Sequence, residues 1–143
     1  MTERQHPWEQ KGRGTSLNPS HRFDDREVVP FDDGWGSLDI EPPQVETKVI
    51  EDATRTILTR NDSPDVPFEV SVNPYRGCEH GCIYCFARPS HAYLGYSPGL
   101  DFETRIVAKP KAPRLLAREL SRAGYEPSPI ALGSNTDPYQ PTE

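Results

Sequence analysis

The sequence predicts an α/β chain, a strand–helix–strand unit behind an extended, largely irregular N-terminal arm. Three observations carry this. Short alternating or apolar runs at 68–72, 104–108 and 129–133 are bounded by proline, asparagine and glycine, as strands are. A helical period over 113–123 separates the last two. Residues 1–66 hold 14 acidic and 8 basic side chains among scattered prolines and glycines, the composition of an extension rather than a core.

Each element follows from its residues. Phe68–Val72 alternates between Pro67 and Asn73-Pro74 and reads as the first strand. A long turn-rich stretch, 73–102, comes next; a loop of that length in a small domain is usually functional. Thr104–Ala108 is a second strand. Pro113 suits the first turn of a helix, Leu116 and Leu120 share a face extended by Ala112 and Ala123, and Arg114, Arg118 and Arg122 repeat on another. Gly124 is placed to end it. Pro129–Gly133 is short and apolar, as in a buried parallel strand. In the leader, Val45–Val49 alternates like a strand, and Ala53–Leu58 suits strand or helix. Pro42-Pro43, Gly34, Gly36 and Asp24-Asp25 favour a flexible leader. Trp8, Phe23, Phe31 and Trp35 favour an arm that packs on the core, because solvated linkers seldom carry aromatics.

Composition excludes several classes. The chain has 143 residues and a net charge of −6, all of it in residues 1–66, since residues 67–143 hold 8 acidic and 8 basic side chains. No strongly basic patch marks a nucleic-acid binder. No stretch approaches the roughly 20 apolar residues that span a membrane. Residues 1–10 lack the apolar run of a secretory signal, so a cytoplasmic, reducing compartment is the default.

All three cysteines fall within eight residues, Gly77-Cys78-Glu79-His80-Gly81-Cys82-Ile83-Tyr84-Cys85, a C-x3-C-x2-C run directly after a strand. Clustered cysteines in a reducing compartment point to metal or redox chemistry, and an odd count argues against a disulfide framework. Gly77 and Gly81 permit the close backbone approach that wrapping a metal centre needs. Structural zinc prefers four protein ligands, so His80 or His91 would have to serve as the fourth. Three inert buried thiols this close are unusual. An iron–sulfur cluster, normally held by four thiolates, would keep one iron open to a small ligand.

C-x3-C-x-aromatic-C, with Tyr84 as the aromatic, resembles the signature of radical S-adenosylmethionine (SAM) enzymes. Asn73–Cys82, Tyr84–His91, Gly133–Glu143 and the leader Lys11–Pro19 resemble a branch of that superfamily related to spore photoproduct lyase. The resemblance implies the start of a partial TIM-like (β/α) barrel over residues 67–143, with Phe68–Val72 as its first strand. It implies a [4Fe–4S] cluster on Cys78, Cys82 and Cys85, with SAM chelating the fourth iron. An external electron donor would reduce the cluster. SAM would then break homolytically to methionine and a 5′-deoxyadenosyl radical that abstracts a substrate hydrogen. Tyr84 would lie near adenine. Ser134 or Asn135 would hydrogen-bond the methionyl group, and Asp137 would meet its ammonium. The same Asn-Thr-Asp-Pro run also reads as an ordinary Asx turn. His80 and His91 read as loop-fixing hydrogen-bonders. Arg76 and Arg88 read equally as cluster counter-charges or solvated surface.

Two departures narrow the reading. No cysteine follows Cys85 to quench a substrate radical, so a thymine-dimer lyase is unsupported. Nucleic acid as a partner rests on kinship with a repair enzyme alone, and no catalytic residue is assigned. Glu143 falls just after what would be the second barrel strand, so either the chain is a fragment, the first portion of a larger core that binds SAM poorly alone, or a partner completes it. The alternative from another class is a zinc-binding interaction module without catalysis.

Overall fold

A proline decides where the first core strand stops. The computed structural model describes residues 12–26, 31, 33–36 and 45–142. Trp8, Lys11, Pro42, Pro43 and Glu143 lie outside the described residues. In chain order the elements are β1 (Lys48–Glu51), β2 (Leu58–Arg60), β3 (Val70–Val72), β4 (Tyr75–Arg76), a 3-10 helix (Arg88–Leu94), α1 (Leu100–Thr104), β5 (Arg105–Ala108), α2 (Ala112–Leu120) and β6 (Ile130–Leu132). They form two three-stranded sheets, ordered β2-β3-β6 and β1-β5-β4.

All three residues of β3 are buried, so it is the centre of its sheet. It pairs antiparallel with β2, Leu58 opposite Val72, and parallel with β6, Val72 opposite Leu132. The Gly133 N–H continues the parallel ladder to the Val72 carbonyl, 2.9 Å away. In the other sheet β5 is central, parallel to β1 and antiparallel to β4.

The expected start of a TIM-like (β/α) barrel does not form. Such a barrel adds successive parallel strands to one sheet. Here β5, the strand after the cysteine segment, joins β1 and β4 instead of β3, and both sheets mix parallel with antiparallel neighbours. The cause lies at Asn73-Pro74. Proline has no N–H with which to extend the β3 ladder. The chain leaves that sheet, and Tyr75-Arg76 pairs with β5. Nor is the arm irregular throughout: β1 and β2 supply one edge strand to each sheet. Phe31 and Trp35 are exposed, whereas Phe23 packs against Tyr93 with ring centroids 5.4 Å apart. The 73–102 stretch, read as loop, contains β4, the 3-10 helix and α1.

The helix exists, but a different face is buried. Ala112, Leu115 and Glu119 point inward, while Leu116 is half-buried and Leu120 is at the surface. A carboxylate sets this rotation. Glu119 accepts the Ile57 N–H on Oε1 at 2.8 Å and the Leu58 N–H on Oε2 at 3.3 Å, satisfying two donors that β2 leaves open. Leu115 and Ala112 then pack on Ile57 and Val72, the core of the β2-β3-β6 side. A second cluster of Cys78, Ala87 and Phe102, with Cys85 against it, lies under the cysteine loop.

Among the described residues no helix is long and apolar enough to cross a membrane. Leu115→Ala should lower unfolding free energy by about 2–5 kcal/mol. Glu119→Ala, which strands the buried Ile57 N–H and the part-buried Leu58 N–H, should cost about 1–3 kcal/mol. Urea denaturation followed by circular dichroism measures both; a Leu115→Ala protein as stable as the wild type would contradict this packing.

Candidate functional site

Parallel pairing puts two loops at one end of one sheet. The chain leaving β3 runs through Asn73 and β4 into the cysteine loop. The chain leaving β6 runs through Ser134–Gln140. Hydrogen bonds join them. The buried Asn73 donates from Nδ2 to Ser134 Oγ at 3.1 Å and accepts the Asn135 N–H on Oδ1 at 2.9 Å. Thr136 Oγ1 donates to the Gly77 carbonyl at 2.7 Å and accepts from Gln140 Nε2 at 2.9 Å. Gln140 Oε1 accepts the Glu79 N–H at 2.9 Å, one residue past the first cysteine.

Within the loop, Gly77 has φ +81° and Gly81 has φ +64°, the left-handed region where glycine is favoured. A Cβ on Gly81 would also lie 3.0 Å from the Glu103 carboxyl carbon, so both angle and space require glycine there. The Cys78 N–H donates to the Phe102 carbonyl at 2.9 Å, and the Cys85 N–H donates to the Cys82 carbonyl at 3.1 Å. All three thiols are free: Cys78 is buried, Cys85 half-buried and Cys82 exposed. Cys78 and Cys85 share the cluster on Phe102. Among the described residues, no three His, Cys, Asp or Glu side chains are gathered closely enough to hold a metal ion. The donor chemistry therefore suits a soft metal centre, while the side chains as they stand do not converge.

The other expected site residues divide. Ser134 and Asn135 are both tied to Asn73. Asp137 is engaged locally: Oδ2 lies 3.2 Å from His80 Nε2, and Oδ1 accepts the Tyr139 N–H at 2.8 Å, as in an Asx turn. Tyr84 is 86% exposed beside the exposed Ile83 and Phe86. His80 fixes the two loops to each other, its Nε2 also lying 3.3 Å from the Tyr139 carbonyl oxygen. Arg76 is exposed.

Arg88 is not solvated surface. It is buried, and all five of its N–H donors are used: on the carbonyls of Cys82, Pro98, Gly99 and Gly81, and on Glu103 Oε1 at 2.6 Å. Sequence reasoning missed Glu103, Asn73, Thr136 and Gln140. A polar residue in a loop or short helix looks like any surface residue until its neighbours are known. The nearest signal was Glu103 directly after Phe102, between Leu100 and Ile106.

His91 is fully buried, between Phe102 and Tyr96, with Nε2 3.0 Å from the Arg105 carbonyl oxygen. Burial holds its pKa below the ordinary 6.5, against the opposing pull of the Arg105 carbonyl and the Asp101 carboxylate. The buried ring is neutral and donates Nε2–H, and among the described residues Nδ1 has no hydrogen-bond partner.

No family model matches the chain, and no solved structure matches it. Uncharacterised proteins of Mycobacterium bovis and Mycobacterium tuberculosis are 51% identical to it over 78 residues, 54% of this chain. The matched part spans 23% of the length of those relatives.

Because the unfolded His91 takes up a proton near pH 6.5 and the folded one does so only lower, stability falls as pH drops through that interval. The urea midpoint should therefore fall more between pH 7.5 and 5.5 in the wild type than in His91→Gln. Equal falls in the two proteins would contradict a neutral buried imidazole.

Proposed function

We propose that the chain carries a [4Fe–4S] cluster on Cys78, Cys82 and Cys85 and is part of a radical SAM enzyme. One observation carries this reading: the C-x3-C-x2-C loop and the Ser134–Gln140 loop leave parallel neighbours β3 and β6 at the same end and are hydrogen-bonded together. Three free thiols and no fourth leave one iron for a small chelating ligand. The Ser134–Gln140 loop bonded to the cysteine loop carries hydroxyl, amide and carboxylate groups of the kind that would bind an amino acid moiety.

Each residue then has a task. Cys78 and Cys85 offer their thiols from the packed side of the loop, and Cys82 turns in from the solvent side to complete the set. Ser134 Oγ and the Asn135 side chain hydrogen-bond the methionyl group of SAM. Asp137 meets its ammonium, exchanging its contact with His80. Tyr84, Ile83 and Phe86 offer apolar surface to adenine. When bound, the cluster supplies one electron to the SAM sulfonium, and the protein's part is to orient SAM and exclude water. The substrate stays open: the matched part spans about a quarter of the mycobacterial relatives, so the activity of a whole protein of that length includes residues beyond those described.

Anaerobic reconstitution with iron and sulfide tests the reading. It should give a brown, oxygen-sensitive protein with about four irons per chain. Cys78→Ala, Cys82→Ala and Cys85→Ala should each lose most of that iron. Reduction in the presence of SAM should release methionine and 5′-deoxyadenosine. A colourless protein that takes up one zinc ion in place of iron would overturn the proposal in favour of a zinc module.

A further inference from the structure

The leader crosses the cysteine loop. From Arg13 to Pro19 it lies against the 3-10 helix and α1, about 90 residues away in sequence. Leu17 accepts the Leu100 N–H at 2.9 Å, and Asn18 exchanges two hydrogen bonds with Asp101, so the strap satisfies the open N–H groups of α1. Its other end is buried deeper. The N–H groups of Arg13 and Gly14 both donate to Glu103 Oε2, at 2.8 and 2.9 Å. Glu103 has no solvent exposure at all. Its second oxygen holds Arg88, and Arg88 holds the carbonyls of Gly81 and Cys82 at 2.8 and 3.0 Å.

We infer that residues 13–19, acting through Glu103 and Arg88, form the positioning strap of the cysteine loop. Two further contacts reach the loop without passing through Glu103. Arg13 Nη2 donates to Glu79 Oε1 at 2.8 Å, directly beside Cys78. Gly14 lies so close to Gly81 that a Cβ on Gly14 would sit 1.7 Å from the Gly81 oxygen. The strap therefore touches the loop between its first two cysteines, backbone against backbone.

Charge gives the arrangement its logic. Glu79, next to Cys78 in sequence, and Glu103, which binds the strap and Arg88, are two buried carboxylates around the cysteine loop. An anionic centre on its thiols would be repelled by them. Arg88 and Arg13 supply two guanidinium groups against the two carboxylates. Removing the strap takes away one of those cations and leaves Glu79 Oε1 accepting from Thr47 Oγ1, while among the described residues its Oε2 has no hydrogen-bond partner even with the strap in place. Arg13, Glu103 and Arg88 are positioning residues. What the loop holds rests on the function proposed above; that the strap sets the loop does not.

The test uses the full chain, metal-free, with site-resolved iodoacetamide alkylation followed by mass spectrometry. Gly14→Val should raise the alkylation rate of the buried Cys78 about tenfold and Arg13→Ala several-fold, as the open form of the loop becomes more populated. Arg13→Lys, which keeps both peptide donors and a cation, should restore most of the protection. Arg22→Ala, which loses a stack on Phe23 and Tyr93 and a 2.8 Å hydrogen bond to the Tyr93 hydroxyl, should leave Cys78 as in the wild type. Wild-type rates in both Gly14→Val and Arg13→Ala overturn the inference. So does faster hydrogen exchange at Val72 and Leu115 to the same degree, which would mean general loosening. Parallel iron uptake separates the two readings. Wild-type chain that takes up no iron while the alkylation pattern holds sinks the cluster and leaves the strap. Full iron uptake with alkylation unchanged in the variants does the reverse.

Discussion

The structure around the cysteines depends on one buried ion pair, Arg88 with Glu103. Such a pair is costly to desolvate and holds only when its remaining donors and acceptors are satisfied. Here they are. Arg88 spends its other four N–H groups on loop carbonyls, and the second Glu103 oxygen accepts two peptide N–H groups from the leader. The guanidinium also lies 5.2 Å from the centroid of the Phe102 ring, on which Cys78 and Cys85 pack. Breaking such a pair from one side costs about 3–5 kcal/mol, because the abandoned charge stays buried. The 3-10 helix, α1, the leader and the cysteine loop therefore hold one another in place.

The sheets set the other constraint. Parallel neighbours deliver their C-terminal loops to the same edge, so pairing β3 with β6 brings residue 77 and residue 136 within a hydrogen bond. Asn73, at the end of β3, joins the two loops from beneath. Lys109, at the end of β5, donates from Nζ to the Asn73 carbonyl at 2.9 Å; burial first, then Arg76, lowers its pKa from the ordinary lysine value. Polar side chains thus fix a loop pair that the short strands alone would leave loose.

Several elements were legible in the residues. Val70–Val72, Arg105–Ala108, the helix after Lys111 and Ile130–Leu132 fall where alternation, apolar runs and breakers place them. Their partners were not. Whether β5 joins β3 or β1 depends on where Pro74 sends the chain, and local pattern carries no record of that. The helix face was misread because Leu116 and Leu120 outweigh Leu115 and Glu119 in apolar count. The deciding interaction was a carboxylate bonded to two N–H groups some sixty residues away. Arg88 was ambiguous for the same reason, since the acceptors for its five donors come from three separate segments.

By itself the sequence determined the chemistry available: three thiols in eight residues, two glycines that let the loop turn, an acidic leader and short strands cut by proline. Those are properties of neighbours along the chain. Tertiary structure alone decided that the strands form two small mixed sheets, that the leader lies on the cysteine loop, and that Glu103 is buried against Arg88. These outcomes turn on which distant donor meets which buried acceptor. A buried polar group must find a partner wherever the chain can supply one, and only the folded chain shows where that is.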